Sequence, residues 1–99
     1  MIYRTIVGRY LEYLHETYRE TDLFNTDKGQ MSELLRYSLC VALGVSSKPA
    51  TTRVDLESKK CSAYITQGID IKGWSTEYKL GVIEACLKCL ALAQDKGGK

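Results

Sequence analysis

Four cysteines, Cys40, Cys61, Cys86 and Cys89, are the side chains in this sequence with the plainest capacity for chemistry. Four thiolates would complete a tetrahedral zinc site, and Cys86-Leu-Lys-Cys89 has the C-x-x-C spacing shared by metal and redox motifs. Redox use of that spacing needs a helix N-terminus to lower the first thiol's pKa. The nearest expected helix start is Ser75, and its field fades well before Cys86. Both thiols also continue the apolar pattern of their segment, so they are read as buried packing residues. A structural zinc domain held by the four cysteines is the alternative.

The single histidine, His15, precedes Glu16, but Arg19 stands where the second histidine of H-E-x-x-H would be. His15 is therefore read as a solvated residue near Glu12. There is no nucleophile elbow, phosphate-binding glycine loop or dinucleotide fingerprint. No catalytic residue and no cofactor is assigned.

Tyrosine is the compositional oddity, with seven tyrosines against one phenylalanine. Tyr3, Tyr10, Tyr13 and Tyr18 fall on one side of the opening segment. A buried phenol must find a partner for its hydroxyl, so such a face suits a boundary between core and contact surface. These four, with Tyr37 and Cys40, form the candidate partner-binding set. Arg53, Lys59 and Lys60, with Tyr64, form a smaller basic and aromatic group, the candidate nucleic-acid-binding set. A formal net charge of +2 favours neither kind of partner.

The elements that must position these residues follow from periodicity. At 99 residues, one domain spanning 1–99 is expected, with a short tail at 95–99. Helical spacing over about 2–19 places Ile6, Val7, Leu11 and Leu14 with the tyrosines, opposite Arg4, Arg9, Glu12 and Glu16. A second helix is predicted over 28–43, capped by Asp27 with Gln30 reaching back, and ended by Gly44. Its inner stripe is Met31, Leu34, Leu35, Ser38, Leu39 and Ala42, which leaves Cys40 on the outer side.

From Thr51 the apolar residues alternate, and a β-hairpin over 51–57 and 60–67 is predicted, with Leu56 opposite Cys61 and Val54 opposite Ala63. Ile69 and Ile71 could add a third strand at 69–72. A final helix over 76–94, capped by Ser75, is apolar round most of its circumference and reads as the central spine. Gly81 in its interior marks a place where a neighbouring chain could come close.

The expected fold is thus α+β, a small antiparallel sheet packed against three helices. The order is similar in outline to that of a double-stranded-RNA-binding domain. The lysines that open the last helix of such domains are replaced here by Ser75, Thr76, Glu77, Tyr78 and Lys79, and no family is assigned. No stretch of the sequence is long and apolar enough for a membrane span or signal-peptide core, so a cytoplasmic location with reduced cysteines is expected. The function expected is that of a small non-catalytic binding or regulatory protein, an inhibitor or adaptor of the type phages and mobile elements encode, acting by protein contact as a homodimer. An RNA- or DNA-binding module is the alternative.

Overall fold

The computed structural model describes residues 2–18, 28–46 and 52–97. These form four α-helices: α1, Ile2–Tyr18; α2, Lys28–Leu43; α3, Thr52–Ile65; and α4, Thr76–Gly97. Among the described residues there is no strand. The α+β fold with its hairpin and third strand is therefore overturned, and the chain is all-helical.

The predicted hairpin is α3. Its inward residues are Val54, Ser58, Cys61 and Ile65, spaced i, i+4, i+7 and i+11 along one helical face, with Ser58, Cys61 and Ile65 fully buried. The strand pattern wanted Leu56 and Ala63 inside, but both face outward. Serine at position 58 hid the helical period. Its hydroxyl donates to the Val54 carbonyl at 2.6 Å, so a polar residue enters the core already satisfied. Ser38 on α2 does the same toward Leu34 at 2.7 Å, and it too is fully buried. Small side chains on both helices let α2 and α3 pack more extensively than any other pair.

The helices form a ring in which α1 touches α3 and α4, and α2 touches the same two. Ile6, Tyr10, Leu14, Leu35, Leu39, Leu43, Ile65, Ile83 and Leu90 fill the centre. Because α3 and α4 cover α2 on two sides, its buried stripe is wider than the sequence indicated and includes Cys40. The expectation of an outward Cys40 is corrected accordingly. The spine assignment of α4 is corrected as well, since Tyr78, Leu80 and Leu92 on its outer side are exposed. Gly81 is also exposed, and a methyl group added there would meet nothing within 4 Å, so no described segment of the same chain approaches it.

The expected end of α2 and the expected start of α4 hold. Gly44 adopts φ 71°, and the Val45 and Gly44 amides donate to the carbonyls of Cys40 and Val41 at 2.9 and 3.3 Å, a Schellman closure. Ser75 Oγ accepts from the Tyr78 amide at 3.1 Å and caps α4, which runs to Gly97 rather than stopping at 94. Asp27, the cap foreseen for α2, lies outside the described residues. The segment at 69–72 is a loop. Asp70 accepts from the Lys72 amide at 3.0 Å, Gly73 takes φ 84° in the turn closed by Trp74, and Ile69, Ile71 and Trp74 pack against the core.

Candidate functional site

Folding residues 52–65 as a helix regroups the candidate residues. Arg53, Leu56, Lys60 and Tyr64 follow one another at i, i+3, i+7 and i+11 along the outer face of α3, with Lys59 at its edge. All five are exposed, Leu56 at 55% and Tyr64 at 52%. The nucleic-acid set foreseen on a hairpin thus shares one helical surface, and an apolar residue that the strand register placed inside stands in its middle.

Tyr64 leans on α1. Its ring centroid lies 4.7 Å from that of Tyr13 at an interplanar angle of 37°, so the two phenols form a tilted pair across the α1–α3 groove. Tyr13 is half-buried, and its hydroxyl is hydrogen-bonded with Thr17. Burial raises its pKa, and the nearby Cys61, Glu57 and Tyr64 push the same way against the Thr17 bond. The phenol therefore stays neutral and stays able to donate.

The charges on this surface nearly cancel. Lys59 pairs with Asp55 at 3.6 Å and Lys60 with Glu57 at 3.4 Å, both along α3. Such intrahelical pairs contribute only about 0.3–0.5 kcal/mol each. They do hold the lysines in line beside Leu56, and they lower the net positive field. The result is an apolar and aromatic centre with a mixed-charge rim.

The remaining candidates disperse. Tyr10 is fully buried, and its hydroxyl donates to the Met31 carbonyl at 2.9 Å. It belongs to the interior, not to a contact face. Tyr3 is half-buried against the core and Tyr37 is half-buried on α2, while the Tyr18 side chain lies outside the described residues. Of the partner-binding candidates whose side chains are described, only Tyr13 joins the α3 surface.

The thiols serve packing. Cys40, Cys61 and Cys86 are buried and Cys89 is half-buried. Among the described residues, no three or more Cys, His, Asp or Glu side chains are grouped so as to hold a metal. The Cys61 thiol touches Ser38 in the α2–α3 seam. Burial pushes Cys61 and Cys86 each up to about 12, well away from the thiolate that redox or metal chemistry needs. His15 is exposed on α1.

Leu56 is the site residue that sequence reading missed. The signal available was a helical wheel over 52–65, on which Leu56 lies opposite the Val54, Ser58, Cys61 and Ile65 stripe. No helix of the described residues is long and apolar enough to cross a membrane. Comparison with known proteins gives no significant match, whether to family models, to curated proteins or to solved structures.

Proposed function

We propose that this is a small non-catalytic binding protein that acts by contact with another protein, through the outer face of α3 and the adjoining Tyr13. The observation that carries this reading is the exposure of Leu56 and Tyr64 together, ringed by Arg53, Lys59 and Lys60. Contact patches that bind protein combine an apolar or aromatic centre with a polar rim, and tyrosine and arginine are enriched in them. An inhibitor or adaptor role fits such a surface.

The reading is tested by Leu56→Asp and Tyr64→Ala. Both positions are exposed, so the domain keeps its fold while partner capture, measured with purified bait in extracts of the source cells, is lost. Capture that survives both substitutions sinks the proposal.

The second reading is nucleic-acid binding, favoured by Arg53, Lys59, Lys60 and Tyr64 sharing one face. Phosphate contacts require unneutralised cations and fall steeply with salt. Asp55 and Glu57 already engage the two lysines. Binding of a mixed oligonucleotide pool at low salt that is abolished by Arg53→Gln with Lys60→Gln, and not by Leu56→Asp, would establish this reading in place of the first.

A further inference from the structure

Tyr64 is open to solvent over about half its surface, yet its ring rests on a fixed support. That support is Tyr13, which packs against the core and has its hydroxyl bonded to Thr17. Packing and a hydrogen bond thus hold the Tyr13 ring from two sides. The brace comes from another helix, so it exists only once α1 has docked on α3. Exposed Tyr78 is placed differently: its ring meets half-buried Trp74, one turn earlier in the chain, so a single local segment sets it.

A tyrosine on the outside of a helix ordinarily samples two χ1 wells, at about 180° and about −60°, because the third drives the ring into the preceding turn. A ring in contact on one side favours the well that keeps the contact, since aromatic pairs attract beyond the area they bury. An anchor already held in its bound rotamer avoids the ordering cost that a free side chain incurs on association. We infer that Tyr13 is a positioning residue for the proposed binding surface: it holds Tyr64 in one rotamer, in line with Lys60 and Leu56 on α3, so that a partner meets a preformed anchor. Tyr13 acts through Tyr64 and does not itself touch the partner. Its hydroxyl is engaged by Thr17, which leaves the ring as the part that matters. The inference rests on the reading of the α3 face as the contact surface. Its size follows from the choice between two wells and the cost of immobilising one side chain, a gain in affinity of about two- to tenfold.

The experiment has two readouts on the whole protein, with circular dichroism to confirm the fold of each variant. In the free protein, the Hα–Hβ couplings of Tyr64, measured by NMR, report its χ1 populations and need no partner. In extracts of the source cells, graded amounts of immobilised protein give the bait concentration at half-maximal capture. The wild-type chain is expected to show one large and one small coupling, the mark of a single rotamer. Tyr13→Phe keeps the ring and should leave both readouts unchanged. Tyr13→Ala should average the couplings and raise the half-capture concentration about two- to tenfold. Tyr13→Leu, which still packs against the core, should shift both readouts in the same direction. Averaged couplings in the wild-type chain, or couplings that respond to neither Tyr13→Ala nor Tyr13→Leu, overturn the inference. Weaker capture by Tyr13→Phe with the Tyr64 couplings unchanged also overturns it, because Tyr13 is then itself a contact. Capture that is equal for the wild-type chain and Tyr13→Ala sinks the inference alone, whereas a wild-type bait that captures nothing while Tyr64 is fixed sinks the reading of the surface and the inference with it.

Discussion

The hydroxyl of Tyr10 on α1 donates to the Met31 carbonyl in the first turn of α2 at 2.9 Å, and the tyrosine is fully buried. One side chain thereby ties together two helices that lie across the ring from each other. Burial raises the Tyr10 pKa far above the ordinary phenol range, so the hydroxyl remains a donor throughout the pH range in which the protein folds.

Tyr10→Phe keeps the ring and deletes the bond. It is expected to destabilise the fold by about 1 kcal/mol, lowering the melting temperature by about 4–8 °C for a domain of this size. Tyr10→Ala also leaves a cavity and should cost about 3–5 kcal/mol. Thermal unfolding followed by circular dichroism distinguishes the two, and a neutral Tyr10→Ala would refute the central place given to this residue.

Ser58 and Leu56 discriminate the helix from the hairpin. Ser58→Ala should be close to neutral, because the hydroxyl satisfies only its own helix at Val54. Ser58→Leu should cost about 1–3 kcal/mol by overpacking the α2–α3 seam. Leu56→Ala should change stability by less than about 0.5 kcal/mol, as exposed substitutions do. Urea denaturation checks all three, and a loss at Leu56 larger than that at Ser58→Leu would restore the strand register.

The buried thiols set a pH dependence. Cys61 and Cys86 are each pushed up to about 12 in the folded protein, while an unfolded cysteine titrates near 8.5. The raised value contributes stability that is fully present below about pH 8.5 and is lost as pH rises toward about 12. Within that window each thiol lowers the unfolding free energy by about 1.4 kcal/mol per pH unit. Denaturation midpoints should fall steadily above about pH 9, and the fall should be shallower with Cys61 and Cys86 both replaced by Ala. Half-buried Cys89 should react with a thiol reagent at about pH 8 well before Cys61 and Cys86 do.

Two glycines should respond in opposite directions. Gly8 sits inside α1, and a methyl group there would meet nothing within 4 Å, so Gly8→Ala is expected to stabilise by about 0.5–1 kcal/mol. Gly44 holds φ 71° at the end of α2, and Gly44→Ala should cost about 1 kcal/mol or more through strain in the left-handed region. Equal effects at the two positions, measured by chemical denaturation, would contradict the Schellman closure.

The sequence alone determined three helices and two of their ends, because α1, α2 and α4 repeat apolar residues at helical spacing, and because Gly44 and Ser75 act on the backbone next to them. Such effects are local and need no knowledge of what packs where. Residues 52–65 were different. Their buried face includes Ser58, whose suitability for the core depends on Ser38 and the other small side chains of the helix opposite, while exposed Leu56 and Ala63 completed a false alternation. Whether a serine lies inside or a leucine outside is decided by the neighbour it meets, and that neighbour is distant in sequence. For the same reason only the tertiary structure could seal Tyr10 and Cys40 within the ring and set Tyr13 beside Tyr64 on the surface proposed for binding.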